Sequence, residues 1–307
     1  MTNQGLDLPE GVERNFPLAR LTTIRTGGPA EFFARAGSLQ RLEGLLAWAA
    51  DAGIEEVGVV GSGSNLLVAD AGVPGLVIKL DRALAKIENR NGHLICGGGA
   101  RLPQAAARAA ALGLSGIEFG VNIPGTVGGA VKMNANAYGG QLQQVLEWVD
   151  VSTRDGTDRR SPEKLGFEYR RSNLRPGEIV ARASFALQPG ETEAIKRVLE
   201  EMRARRKATQ PSGIKTFGST FKNPDDPKAE GRSAGELLEA AGCQRLEVGA
   251  ARYSPKHANF IENVGGRATT ADVVALMAEG RRQVRERFGI SLEAEVQMLG
   301  DVAVPDA

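Results

Sequence analysis

The sequence predicts a mixed fold of helices and strands in two parts, an N-terminal portion threaded with glycine loops and a separate C-terminal unit. Three observations predict it. A helix pattern over 38–53, a short apolar run at 57–60, a glycine loop at 61–65 and a second apolar run at 76–78 give the rhythm of an α/β domain. A second glycine-rich stretch, 116–140, is too apolar for a linker and too rich in glycine for ordinary helix or strand. A charged amphipathic pattern over 191–207 then leads across a boundary into the C-terminal part.

Each element has a local reason. Residues 23–30 read as a turn before a strand at 31–33. Ser38 caps a helix with Leu39, Leu42, Leu45 and Leu46 on one face, and Gly53 stops it. The run 57–60 reads as a short buried strand feeding the first glycine loop, and 76–78 as another strand. Residues 84–96 read as two strands about an Asn91-Gly92 turn. Pro103 opens an alanine-rich helix that Gly113 ends. Residues 145–153 alternate as a strand before the Asp155-Gly156 turn, and 179–187 form a further strand.

In the C-terminal part, 235–241 reads as a short helix. Thr269 and Asp272 make a capping box for a helix carrying Val273, Leu276, Met277, Val284 and Phe288, which Gly289 ends. Leu292, Ala294, Val296 and Met298 alternate with Glu293, Glu295 and Gln297. That is the pattern of a half-buried strand with both glutamates on its open face.

Composition excludes several classes. The 307 residues carry 38 basic and 37 acidic side chains, so no global field recruits nucleic acid or an anionic membrane. Cys96 and Cys243 stand far apart, which is no disulfide framework and fits core thiols in a reducing cytosol. His93 and His257 have no neighbours at metal-ligand spacing, so no metal is expected. The first residues are polar, without the apolar core of a signal peptide, and no apolar run is long enough to span a bilayer.

Glycine is the outlier, with 39 residues against 5% aromatics. The two glycine stretches lie about sixty residues apart. Backbone N–H groups in such bends can hold a pyrophosphate, which suggests a large nucleotide cofactor. The loop 61–65 is no Walker A loop, and position 66 is Leu where the dinucleotide fingerprint needs its third glycine. As a bare pattern it reads equally as a strand-to-strand turn. Ser64 and Asn65 favour the phosphate reading because both side chains can donate.

Gly61-Ser62-Gly63-Ser64-Asn65-Leu66-Leu67-Val68, followed by Asp70 and Gly72, resembles the first flavin loop of the UDP-N-acetylenolpyruvoylglucosamine reductase family. Residues 123–130 with Met133-Asn134-Ala135 resemble its second flavin loop. Gly218-Ser219-Thr220-Phe221-Lys222-Asn223-Pro224, His257-Ala258-Asn259-Phe260-Ile261 and Leu292-Glu293-Ala294-Glu295-Val296 resemble its C-terminal motifs, in the same order. The resemblance implies an α+β chain: a two-subdomain FAD-binding fold of the vanillyl-alcohol-oxidase (PCMH) type over 1–82 and 83–205, then a substrate-binding domain over 206–307. It implies reduction of the enolpyruvyl ether of a UDP-sugar by NADPH through FAD, in peptidoglycan precursor synthesis. A cytoplasmic monomer without nucleic-acid or membrane partners is expected.

The resemblance also assigns residues. Gly61, Ser62, Gly63, Ser64 and Asn65, with Gly125, Thr126, Gly128, Gly129 and Ala130, would contact FAD. Arg170, within Tyr169-Arg170-Arg171-Ser172, would meet the substrate carboxylate, since guanidinium binds carboxylate through two parallel donors. Ser219 would be the proton donor, and Glu295 a third catalytic group that donates a hydrogen bond or relays a proton. Lys222 and Asn223 would face the substrate phosphates. Taken alone, Arg170 reads as a surface arginine, Ser219 as a turn serine and Glu295 as no different from Glu293. His257 reads as a packed histidine, and Tyr138 as a core aromatic or a ring stacker.

The chain departs from the family pattern at five places, one of them Ser212-Gly213-Ile214-Lys215-Thr216-Phe217, where the family commonly has Pro-Ser-Ala before the glycine. Asn122 and Asn136 stand where the family has glycines, and Asn tolerates positive φ. Leu174 replaces a Phe, and Thr209 or Gln210 stands at the phosphate-facing lysine, which Lys207 or Lys215 would replace. No long insertion follows Ser172, as in the shorter subtype without a tyrosine loop. Two rival readings remain, a flavin-dependent small-molecule oxidase and a non-enzymatic nucleotide-binding regulator. Rapid reoxidation by air favours the first, and a colourless protein favours the second.

Overall fold

The Ser38 hydroxyl accepts from the Arg41 amide and so starts the helix Leu39–Asp51, which buries Leu42, Leu45, Leu46 and Ala49. Gly53, at φ 67°, reverses the chain after it. The computed structural model describes residues 6–305. The chain forms two compact units. Unit one takes the chain to Phe16, Glu31–Ser62 and Pro74–Arg206; unit two takes Pro17–Ala30, Gly63–Val73 and the chain from Lys207.

Unit one contains two large sheets and two short two-stranded ones among the described residues. The first runs in the order Val12–Pro17, Pro29–Ala36, Val73–Leu80, Val57–Val59, the last two strands parallel. The run 57–60 is therefore an edge strand rather than a buried one: Val59 is 43% exposed, and only Val60 is buried. The second sheet has five strands in the order Gly156–Arg160, Leu146–Thr153, Ile179–Ala186, His93–Gly97, Ile87–Arg90, all antiparallel. Its hairpin turns on Asn91 and Gly92 at φ 52° and 86°, two consecutive left-handed residues that match strand twist. The helix Leu102–Ala111 packs Leu102, Ala105, Ala106, Ala109 and Ala110 into the core with Val127, Val149 and Phe185. Cys96 belongs to that core, and burial pushes its thiol up to about 12.

Unit two is built from stretches far apart in sequence. A three-stranded antiparallel sheet, Glu247–Val248, Ala251–Ser254 and His257–Asn263, is accompanied by the helices Ala234–Ala240 and Thr270–Phe288. Leu66–Val68 pairs in parallel with Gln297–Leu299. Ile24 and Leu67 enter one core with Phe217, Phe221, Tyr253 and Leu276. Gly280 lets the long helix approach the buried Tyr253 ring, where a Cβ would collide with the phenol oxygen. Cys243 lies in this core as well, with its thiol pushed up to about 11, mainly by burial.

The alternating run 292–298 does not form one strand. Leu292 and Val296 are buried as the pattern requires, but only Gln297–Leu299 pairs as a strand, and Ala294 makes a single bridge to Phe221. The alternation records burial, while pairing depends on the available partner edge.

Helix Thr270–Phe288 starts with the Thr269–Asp272 capping box and ends at Gly289, φ 67°. It gains a second cap from Asp70, whose two carboxylate oxygens accept from the Thr270 and Ala271 amides, both at 2.9 Å. The Thr270 hydroxyl donates to the Val68 carbonyl at 2.6 Å. Asp70 thus ties the segment after the first glycine loop to a helix start 200 residues away. Asp70→Ala is expected to lower stability by about 1–2 kcal/mol, the usual worth of a helix cap. A denaturant titration with an unchanged midpoint would remove that role.

Candidate active site

In unit one, Gly61 lies against Thr126, whose Oγ1 would be 2.5 Å from a Cβ at position 61. The Lys79 ammonium donates to the Gly61 carbonyl. A trans peptide points its N–H opposite its C=O, so this contact turns the Ser62 amide away from Lys79. The Ser62 hydroxyl donates to the Pro124 carbonyl at 2.8 Å.

The second loop differs from the expectation of exposed N–H groups. The amides of Gly125, Gly128, Gly129 and Ala130 donate to Ile123 O, Gly98 O, Thr126 Oγ1 and Thr126 O. What the loop offers is space: a Cβ on Gly125 would meet nothing within 4 Å, and one on Gly129 only Thr126 Oγ1 at 3.6 Å. Gly128 instead approaches the Gly98 carbonyl, 3.1 Å from a Cβ. The open faces at Gly125 and Gly129 suit close approach by a flat or extended group.

Asn122 and Asn136 do not take left-handed backbone. That conformation falls on Asn134 (φ 41°), Tyr138 (φ 52°) and Gly139 (φ 82°). Asn122 is used through its side chain, donating at 2.8 Å to both the Tyr138 hydroxyl and the Met202 carbonyl. Tyr138 is 36% exposed, so it is no core aromatic.

Arg170 sits in a tight turn closed by paired backbone bonds between Glu168 and Arg171. Its φ is 57°, a strained value for arginine. The guanidinium donates to the Asn136 carbonyl at 3.2 Å. Buried Asn134 donates to Glu168 O at 3.2 Å, and the Ser172 hydroxyl to Lys132 O at 2.8 Å. Lys132 donates in return to the carbonyl of buried Leu174. The segment that carries Arg170 is thus clamped to the end of the second glycine stretch.

Unit two brings together Ser64, Asn65, Ser219 and Glu295. The Gly63 carbonyl accepts from the Thr23 amide and hydroxyl, and the Asn65 carbonyl from the Gln297 amide. Asn65 Nδ2 donates to the Glu295 carbonyl at 3.1 Å, across 230 positions of sequence. The Glu295 amide donates to Thr220 O at 2.9 Å, beside Ser219, and Ser219 is bridged to Phe260. A Cβ at Gly218, φ 86°, would be 3.8 Å from the Ser64 carbonyl. Thr220 is fully buried, and its hydroxyl has no partner among the described residues. Such an orphan costs about 1–3 kcal/mol unless a ligand or water satisfies it.

Glu293 and Glu295 separate here. Glu293 is an exposed partner of Lys222, while Glu295 is half-buried in the Asn65–Thr220 cluster. Lys222 is largely buried and engaged by Glu293, so an approaching phosphate would compete for it. Asn223 Oδ1 accepts from the Ala234 amide at 3.1 Å and so supports a helix start. Near the family's lysine position, the Lys207 carbonyl accepts from Lys256, and Lys215 is exposed beside Gly266.

His257 is packed. Its Nδ1 accepts from the Asn259 amide at 3.2 Å, and its ring contacts Phe260 at 4.8 Å between centroids. Burial lowers its pKa below the ordinary 6.5. The unfolded chain therefore binds a proton that the folded chain refuses, and stability falls as pH drops through 6.5. His257→Gln is expected to flatten that part of the stability–pH curve. An unchanged slope between pH 7 and 5 would show that other groups cause it.

The sequence reading missed the backbone side of the site: Lys79 under Gly61, Asn134 under the Arg170 turn, and Thr220 beside Ser219. Only the strand position of Lys79, between buried Ile78 and Leu80, marks it in sequence as an unusually placed cation.

An α+β chain with two close-approach glycine loops, the first of them tied through Asn65 to the segments that carry Ser219 and Glu295, belongs to the class of FAD-containing oxidoreductases. Family models agree. One described as "FAD binding domain" matches 30–160, and one described as "UDP-N-acetylenolpyruvoylglucosamine reductase, C-terminal domain" matches 210–299. A UDP-N-acetylenolpyruvoylglucosamine reductase of Anaeromyxobacter dehalogenans is 43% identical over 95% of this chain and 87% of its own. Another, from Acidiphilium cryptum, is 43% identical over 92% of this chain and 90% of its own. The crystal structure of UDP-N-acetylenolpyruvylglucosamine reductase from Thermus caldophilus matches with a TM-score of 0.80 and 38% identity, over 94% of this chain and 98% of that one. The chain belongs to the UDP-N-acetylenolpyruvoylglucosamine reductase family. Among the described residues no helix is long and apolar enough to cross a membrane, and no group of His, Cys, Asp or Glu is arranged to hold a metal ion.

Proposed function

We propose that this chain reduces UDP-N-acetylglucosamine enolpyruvate to UDP-N-acetylmuramate with NADPH, as a cytoplasmic enzyme of the shorter subtype, through FAD-binding subdomains 1–82 and 83–205 and a substrate domain 206–307. The observation that carries the reading is the main-chain cluster of Asn65, Thr220 and Glu295, which joins a flavin-loop residue to the segments that carry Ser219 and Glu295. Residues 61–65 and the open faces of Gly125 and Gly129 would hold FAD, with Thr126, Gly128 and Ala130 shaping the loop between them. Bound FAD supplies the hydride that NADPH provides.

Addition of hydride to the methylene carbon of the enol ether leaves charge on the neighbouring carbon and its carboxylate. Arg170 is the cation for that carboxylate, which a guanidinium can bind through two parallel donors. The Ser219 hydroxyl donates the proton that completes the lactyl ether, and Glu295 relays a proton back or holds a hydrogen bond. A serine hydroxyl is a poor acid, so it works only while charge builds up beside it. Lys222 and Asn223 serve the substrate's phosphates.

One absorbance experiment tests the whole reading. Purified protein is expected to be yellow, to bleach with NADPH anaerobically, and to recover colour when the enolpyruvyl UDP-sugar is added. Recovery with air alone, at the same speed as with substrate, supports the oxidase instead. A colourless protein that takes up no FAD ends both.

A further inference from the structure

Lys79 lies on a strand between buried Ile78 and Leu80 and is itself only partly exposed. An ammonium drawn out of water needs a partner. The partner here is a backbone carbonyl, that of Gly61. The surroundings add positive charge. Arg35 and Arg101 both act on Lys79 with like charge, and burial together with those two cations lowers its pKa. The opposing charge is Asp81, itself 3.8 Å from Arg35. Three cations thus stand near one carboxylate, an arrangement that a bound anion would relieve.

The same residues meet the glycine loops. Arg101 bridges to Thr126, and Thr126 Oγ1 closes over Gly61, so cationic surplus and loop share one corner of unit one. We infer that Lys79 is a positioning residue for FAD: it holds the Gly61 carbonyl, so that the Ser62 amide faces the cofactor, and with Arg35 and Arg101 it supplies the positive field for the pyrophosphate. The inference rests on the flavin reading above and adds the residue that orients the loop. A lone strand lysine with only a structural purpose would need neither the loop carbonyl nor two further cations beside it.

The test uses the full chain stripped of FAD, with wild-type, Lys79→Met and Lys79→Arg compared. FAD dissociation constants come from flavin fluorescence at several salt concentrations, and melting temperatures of the FAD-free proteins from circular dichroism. Lys79→Met is expected to weaken FAD binding roughly ten- to a hundredfold, the range for losing a charge-assisted bond. It is also expected to flatten the salt dependence, and Lys79→Arg to recover most of the affinity. Equal affinity in Lys79→Met and wild type overturns the inference, and so does weaker binding that comes with an unchanged salt slope and a lowered melting temperature of the FAD-free protein, which marks a merely structural lysine. A wild-type protein that takes up no FAD fails the flavin reading instead, so the two failures are distinguishable.

Discussion

In stopped-flow experiments Ser219→Ala is expected to leave reduction of bound FAD by NADPH at the wild-type rate and to slow reoxidation by the enolpyruvyl substrate about 10²–10³-fold, the usual effect of losing one well-placed donor. The asymmetry follows from where the serine acts. NADPH oxidation needs no proton from the protein at the substrate carbon, whereas the second half-reaction does. The substitution leaves the local fold alone, because Ser219 is tied to Phe260 through the main chain, and Glu295 holds Thr220 through the main chain as well. Equal slowing of both half-reactions would mean that Ser219 shapes the flavin site and delivers no proton.

The second large effect separates two glycines that look alike in sequence. At Gly63, φ is 62° and a Cβ would press into the Leu21 carbonyl and the Thr22 backbone. Gly63→Ala therefore meets both left-handed strain and a backbone clash, and is expected to cost about 3 kcal/mol or more in stability. Gly125 faces open space and has no left-handed φ. Gly125→Ala is expected to leave the melting temperature of FAD-free protein within a degree or so of wild type. Its FAD affinity is expected to fall on the order of tenfold or more, because the methyl group enters the space the cofactor needs. Thermal melts with and without FAD check both variants. A destabilised Gly125→Ala, or a Gly63→Ala as stable as wild type, would reverse the roles given to these positions.

Much of this contrast was hidden in the linear pattern. Gly61, Gly63, Gly125 and Gly129 are equivalent on paper, yet two are filled by neighbours and two stay open. Likewise Glu293 and Glu295 share a periodicity, and tertiary contacts tell them apart: Glu293 is exposed and pairs with Lys222, while the Glu295 carbonyl accepts from Asn65. Asp70 reads as part of a loop motif, but its carboxylate caps a helix. Asn122 and Asn136 read as substitutes for left-handed glycines, and the strain is instead carried by Asn134, Tyr138 and Arg170.

Local chemistry, by contrast, was legible. The caps at Ser38 and Thr269, the Asn91-Gly92 hairpin and the helix stops at Gly53 and Gly289 depend on contacts a few residues apart, which residue type alone decides. The motifs of the two flavin loops and of the C-terminal strands identified the family by the same local means. What the tertiary structure alone decided is how distant pieces share a unit: 17–30 and 63–73 fold with the C-terminal residues, and Asn65 reaches Glu295. Such pairings are set by which surfaces are buried together and which backbone groups find partners, and neither quantity is a property of a short stretch of sequence.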